Sequence, residues 1–283
     1  MVRRRRAGAR ARRRPHARTA DARPRARRTR WLRPLLLQAS LRTPDRRGAG
    51  GLSRPPRPRP VRPHDPADWS FEVCADDLRA FCDAVGIVRP TVLGHSMGGW
   101  IVLLYGARHP GHAGGLILQS TMARFDLERL VDGFRRRGGE EVAELAKRDF
   151  GGDPITVEEW ARVFAVFGPH VPSTAELARR VRNPDVGPPG MELLRRLDVV
   201  DQLARITCPT LICVGELDPV TPVAASREIV DALPPQVGRF EVIERAGHFP
   251  WLDRPDRYWS LITAFVTAAT VRRGATETPS ATA

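Results

Sequence analysis

Thr91-Val92-Leu93-Gly94-His95-Ser96-Met97-Gly98-Gly99-Trp100-Ile101-Val102-Leu103-Leu104-Tyr105 decides how this chain is read. Its first three residues are β-branched or apolar and read as a strand, and the run from Trp100 continues at helical spacing. Between them a serine stands with a glycine two residues away on either side. A strand that turns directly into a helix at a serine strains that residue's backbone and leaves its hydroxyl exposed. Glycine suits positions 94 and 98 because a Cβ there would collide with neighbouring backbone. The helix beginning at the turn aims its positive end and free N–H groups at whatever the hydroxyl attacks.

A serine hydroxyl is a weak nucleophile until a base takes its proton, and the base needs an acid to orient it. Of the seven histidines, only His248 lies far downstream of Ser96, in Ala246-Gly247-His248-Phe249-Pro250-Trp251, just past the strand-like run Phe240-Glu241-Val242-Ile243. Between Ser96 and His248 comes another buried-looking strand, Thr210-Leu211-Ile212-Cys213-Val214, followed by Gly215-Glu216-Leu217-Asp218-Pro219. Asp218 therefore falls on a loop at the carboxyl end of a strand, where open α/β sheets place their ligands. Ser96 and His248 fall at equivalent ends. Glu216 shares the acid loop and competes with Asp218 for the third role.

With Gly94-His95-Ser96-Met97-Gly98-Gly99, Gly215-Glu216-Leu217-Asp218 and Gly247-His248 in this order, the chain resembles the α/β-hydrolase superfamily over about residues 65 to 271. The resemblance implies Ser96 as nucleophile, His248 as general base and Asp218 as acid, with the backbone N–H of Met97 as one oxyanion donor. Relatives with such an elbow include carboxylesterases, lactonases, cofactor-free perhydrolases and prolyl aminopeptidases. Dehalogenase and epoxide-hydrolase relatives carry Asp at the nucleophile position, so Ser96 argues against those chemistries. Relatives also carry a His-Gly motif upstream that supplies the second oxyanion donor, and no His-Gly dipeptide precedes Ser96 here. Arg47-Gly48-Ala49-Gly50-Gly51-Leu52-Ser53 resembles the turn that follows the next family strand, but that strand is unrecognisable.

Other polar residues have plainer readings. His95 adjoins the nucleophile, but adjacent side chains at such a turn point apart, which favours a structural or pocket-lining role over that of base. His109 and His112 flank Pro110 after the elbow helix and read as surface-loop residues. Cys74, Cys82, Cys208 and Cys213 have no Cys-x-x-Cys spacing and no histidine partners in metal register, so they read as buried free thiols, as in a reducing cytosol. No metal or organic cofactor is expected.

The net charge of +14 is uneven: residues 1–62 hold 22 arginines against Asp21 and Asp45, which leaves the remainder at −6. The mildly acidic remainder gives no reason to expect nucleic-acid binding. Residues 1–63, rich in Arg, Pro and Ala without a sustained period, read as disordered or mis-translated sequence ahead of a hydrolase domain at 64–283. A nucleic-acid tail, a targeting peptide, a solvated tail and out-of-frame translation of GC-rich DNA compete as its origin. Lys147 alone against 45 arginines fits such DNA. No run of eighteen apolar residues exists, so no membrane span is expected.

The expected architecture is a mostly parallel sheet with flanking helices and a helical cap at about 123–198, with the N-terminal strands of the family missing or unrecognisable. An amphipathic helix carries Phe71, Cys74, Leu78, Phe81, Cys82 and Val85 on its apolar face, and Leu116-Ile117-Leu118 reads as a buried strand. Phe125, Leu127, Leu130, Val131 and Phe134 form one cap stripe, and Trp160, Val163, Phe164 and Phe167 another. Later helices are expected from Pro222 to Leu233 and from Pro255 to about Ala268. The expected activity is cytoplasmic acyl transfer on a small apolar or aromatic ester. A prolyl-aminopeptidase-like amide hydrolase and a catalytically impaired binding protein are the alternatives.

Overall fold

The computed structural model describes residues 69–170 and 187–276. The segment 1–63 and the turn at 47–53 lie outside them. In chain order the elements are α1 (Phe71–Val85), β1 (Thr91–His95), α2 (Met97–Arg108), β2 (Gly115–Gln119), α3 (Leu127–Gly151), α4 (Val157–Phe164), α5 (Gly187–Arg195), a 3-10 turn (Val200–Arg205), β3 (Thr210–Gly215), α6 (Val223–Ala232), β4 (Gly238–Ile243), α7 (Pro250–Asp253) and α8 (Pro255–Thr276). The strands stand in the order β1-β2-β3-β4, all parallel. The four expected strands are all present, and the α/β class holds.

Parallel strands joined by helical crossovers are covered on both faces, which is why β2 and β3 read as unbroken apolar runs. Alternation along each strand divides the core. Leu116, Leu118 and Ile212 face the larger cluster with α1, α2 and the insertion, whereas Ile117, Leu211 and Cys213 face Tyr258, Leu261, Ile262 and Phe265 of α8. Ten consecutive residues of α2, Gly98 to Ala107, are buried, as expected of a helix that is apolar all round.

The α1 helix is capped at its start by the Ser70 hydroxyl, which accepts from Val73 N at 3.1 Å, and at its end by Gly86 at φ 69°. Its apolar face is rotated from the expected one: Phe71, Ala75, Leu78 and Cys82 are buried, but Val85 is 53% exposed. His109 and His112 are not loose surface residues. His109 Nε2 and both guanidinium arms of Arg108 meet the Asp76 carboxylate of α1, and His112 Nδ1 pairs with the buried Tyr105 hydroxyl. The Asp76 contacts, with His112 Nε2 facing Asp83 at 3.6 Å, bind the end of α2 to α1. Pro222 occupies the position before the first turn of α6, and α8 runs to Thr276, beyond the expected Ala268.

The segment between β2 and β3 is a helical insertion closed at its base by a short antiparallel contact. Arg124 bridges to Asp198, Phe125 N donates to Leu197 O and Val199 N donates to Ala123 O, each at 2.9 Å. This clasp brings residues 123–125 and 197–199 together. Within the insertion Leu130, Val131, Phe134, Val163, Phe164 and Phe167 are buried, so both expected stripes face inward. The α3 helix breaks its dihedrals at Gly139, where φ is 78°.

Leu118 is fully buried at the centre of the sheet. Leu118→Ala is expected to cost about 2–5 kcal/mol of folding free energy in urea unfolding, through lost contacts and a residual cavity. Val88→Ala, at a residue 62% exposed, should stay within about 0.5 kcal/mol.

Candidate active site

Because the strands are parallel, everything that follows a strand emerges at one edge of the sheet. Ser96 follows β1, Ser120 and Thr121 follow β2, Asp218 follows β3 and His248 follows β4. That edge gathers the candidate groups.

Ser96 holds φ 52° and ψ −122°, a conformation that side chains other than glycine rarely adopt. Three hydrogen bonds hold it there. Its N–H donates to Gln119 O at 2.9 Å, and its carbonyl accepts from Gly99 N at 2.8 Å and from Thr121 Oγ1 at 2.9 Å. A Cβ at Gly94 would strike the carbonyl of Gly98, which is the close approach expected of the turn. Met97 is the first residue of α2, where geometry leaves an N–H without an intrahelical acceptor. The insertion passes directly over this turn, since a Cβ on Gly190 would lie 3.5 Å from Met97 Sδ.

His248 and Asp218 are both buried and form a pair, His248 Nδ1 lying 2.9 Å from Asp218 Oδ2. Asp218 is saturated with donors: Oδ1 accepts from the backbone of Val220 and Thr221, each at 2.9 Å, and Oδ2 also accepts from Thr221 Oγ1 at 2.6 Å. Burial pushes its pKa up, but the facing His248 charge and these hydrogen bonds outweigh it and hold the carboxyl below the ordinary range. The acid is thus kept ionised and fixed in orientation. Glu216 is exposed and turns away to accept from Arg245 N at 2.9 Å, tying one loop to the next.

The backbone of His248 is held from two sides. Its N–H donates to the Phe167 carbonyl of the insertion at 2.7 Å, and its carbonyl accepts from His95 Nε2 at 3.0 Å. His95 thus makes a structural contact of the kind expected for it, to the backbone of His248. The His95 and His248 rings lie 4.8 Å apart, and His95 also meets Trp251 edge-on at 4.8 Å. Burial, and next the His248 charge, draw the His95 pKa down to about 3. It stays neutral and can keep donating.

An aromatic chain leads from the insertion to this point. Trp160 stacks on Phe164 at 4.7 Å, Phe164 meets Phe249 at 5.8 Å, and Phe167 stands edge-on to the His248 ring at 5.6 Å. Among the described residues no group of three or more His, Cys, Asp or Glu side chains is placed to hold a metal ion.

Sequence reasoning singled out Ser96, Asp218, His248 and Met97 but missed Thr121 and Thr221. Thr221 had a local signal, since Asp218-Pro219-Val220-Thr221 is the pattern of an aspartate bonding backbone two and three residues on. Thr121 had none, because its partner lies 25 residues away.

A family model described as alpha/beta hydrolase fold matches residues 27–255. A proline iminopeptidase of Heyndrickxia coagulans is 27% identical over 222 residues, covering 72% of this chain and 76% of the relative. A pimeloyl-(acyl-carrier protein) methyl ester esterase of Edwardsiella ictaluri is 28% identical over 196 residues, covering 65% of this chain and 71% of the relative. The solved structure of proline iminopeptidase from Mycobacterium smegmatis superposes with a TM-score of 0.60 at 22% identity, over 74% of this chain and 75% of that one, a likeness of fold.

A histidine whose pKa falls on folding makes the unfolded chain the better proton binder between the two values, so stability drops as pH falls through that interval. The His95 contribution is complete above about pH 6.5, the ordinary imidazole value, and declines below it. Chemical unfolding at pH 7 and pH 5 should show His95→Gln losing about 1–2 kcal/mol less on acidification than the unmodified protein. Equal losses would show that His95 takes up a proton in the folded state.

Proposed function

This chain belongs to the alpha/beta hydrolase family, and we propose that it is a serine hydrolase cleaving a carboxylic ester or related acyl bond through an acyl-enzyme. The reading rests above all on the buried His248–Asp218 pair at 2.9 Å, set at the same sheet edge as a serine with φ 52°. Ser96 Oγ attacks the substrate carbonyl while His248 Nε2 accepts its proton, and the carbonyl oxygen becomes an oxyanion facing the Met97 N–H. His248 then returns the proton to the leaving alcohol, which departs as the acyl-enzyme forms. Water repeats the sequence, losing its proton to His248 as it attacks the acyl carbon and releasing the acid and Ser96. Asp218 keeps the imidazole in the tautomer with Nε2 free and offsets the imidazolium charge. Each oxyanion donor contributes roughly 3–4 kcal/mol to the transition state. No metal or organic cofactor enters these steps.

Phe164 and Phe167 of the insertion, with Phe249 and Trp251 beside the base, support a cap that receives an apolar or aromatic substrate. Esterase and peptidase relatives both support hydrolysis of an acyl bond, and the proline iminopeptidase likeness supports an amide as the second substrate class. The free thiols Cys74, Cys82, Cys208 and Cys213 support a cytoplasmic location. Among the described residues no helix is long and apolar enough to cross a membrane.

A fluorophosphonate probe should label Ser96, and Ser96→Ala should abolish both the label and the hydrolysis of short p-nitrophenyl esters. Labelling that survives in the alanine variant would move the nucleophile elsewhere, and an unlabelled protein would support a binding role for the fold.

The two acids separate cleanly by kinetics. Asp218→Asn should lower kcat on the order of a thousandfold or more, because the amide favours the wrong histidine tautomer. Glu216→Gln should leave kcat within about twofold, its carboxylate being exposed and engaged with Arg245 N. The reverse ranking would give the third role to Glu216.

A further inference from the structure

We propose that Asp253 is a positioning residue for the base, its carboxylate binding the His248 loop and the helical insertion into one joint. The proposal builds on the serine-hydrolase reading, in which His248 is that base. Asp253 Oδ2 accepts from Gly247 N at 2.7 Å, and Asp253 Oδ1 accepts from His170 N at 2.7 Å. One N–H comes from the residue before His248 and the other from the insertion, 83 residues away from Asp253 in sequence. An ionised acceptor makes both bonds short and about twice as strong as neutral ones.

The packing around the carboxylate leaves no slack. A Cβ on Gly247 would strike the Phe167 carbonyl and Gly168 Cα, and a Cβ on Gly168 would come within 2.7 Å of Asp253 Oδ2. Both glycines are therefore required by the close approach of the insertion to the loop. Through the gap they leave, His248 N reaches Phe167 O at 2.7 Å. The Gly247 N–H, the His248 N–H and the His248 carbonyl thus go to three separate elements: α7, the insertion and β1. Within the joint Phe167 stacks on Phe249 at 6.1 Å and stands edge-on to the His248 ring.

The consequence is mechanical. The imidazole already has its tautomer fixed by Asp218, but where Nε2 lies relative to Ser96 depends on the backbone at 247 and 248. Asp253 fixes that backbone and ties it to the insertion that covers the Ser96 turn. A displacement of about 1 Å in a reacting group costs on the order of a hundredfold in rate.

The test uses the full chain with Asp253→Ala and Asp253→Asn, each made alone and combined with His248→Ala. Asp253→Ala should lower kcat, and the rate of fluorophosphonate labelling, on the order of 10- to 100-fold with KM within about twofold. Asp253→Asn, which keeps one carbonyl oxygen, should fall between. In the His248→Ala background, hydrolysis rescued by added imidazole should be indifferent to Asp253→Ala, because the residue acts only through His248. Amide hydrogen exchange gives a reading independent of catalysis: in either Asp253 variant, peptides spanning 168–170 and 247–248 should lose protection together. Additive losses with His248→Ala, an unchanged kcat in a folded Asp253→Asn protein, or exchange that rises on one side only would overturn the proposal. An unmodified protein that takes no label at Ser96 refutes the hydrolase reading instead, and the paired exchange result then decides for or against the joint alone.

Discussion

Ser96 is held at φ 52°, a backbone state that costs of order 1–3 kcal/mol and persists only where its surroundings over-determine it. Here those surroundings come from three parts of the fold. Gln119 at the end of β2 takes the Ser96 N–H, Gly99 in the first turn of α2 donates to its carbonyl, and Thr121 beyond β2 donates to the same oxygen. Each partner is itself fixed: the Thr121 carbonyl accepts from Ser226 Oγ of α6 at 2.8 Å, and the Gln119 side chain meets the buried Tyr258 hydroxyl of α8. A strained residue stays in place because helices on both faces of the sheet hold its partners.

Asp218 and His248 are anchored by contrasting means. Asp218 is immobilised locally, taking all its donors from residues within three positions except His248. Its environment needs only one loop to be correctly folded. His248 is held mostly at long range: its own backbone groups bond to β1 and the insertion, and only the preceding Gly247 N–H is taken up nearby, by Asp253 of α7. Asp218 is set by its own turn, and His248 chiefly by tertiary structure. The placement of His248 accordingly depends on packing at the insertion, and that of Asp218 does not.

What could be read from sequence follows from the range of the interactions involved. The strands were legible because β2 and β3 are buried on both faces and carry unbroken apolar runs, and the insertion was legible because helical sequence separates them. Ser96, Asp218 and His248 could be singled out because glycines, strand ends and chain order mark them locally. Thr121 could not, since it acts on backbone 25 residues away, and neither could the tie from Asp253 to His170, which spans 83 residues even though the Asp253 bond to Gly247 N spans only six. His109 and His112 misled for the same reason: they sit in a turn, but their partners Asp76 and Asp83 are on α1. The exposure of Val85 was equally hidden, because α1 meets α2 along the row Phe71, Ala75, Leu78 and Cys82, and that row turns Val85 outward.

The same distinction bears on how specificity and chemistry divide in this fold. An insertion joined to the sheet only by the clasp at Arg124 and Asp198 would vary in shape without disturbing the site. In this chain it has a second attachment, at Phe167 and His170, and that attachment is to the loop bearing His248. The rings of Trp160, Phe164 and Phe167 cannot shift as a group without pulling on the Phe167 carbonyl that receives the His248 N–H. On the serine-hydrolase reading proposed above, a substrate that settles against those rings holds His248 in register, and one that wedges them apart displaces it. On that reading, selection among substrates acts on the rate of the chemical step as well as on binding, since each contact with the insertion is also a constraint on His248.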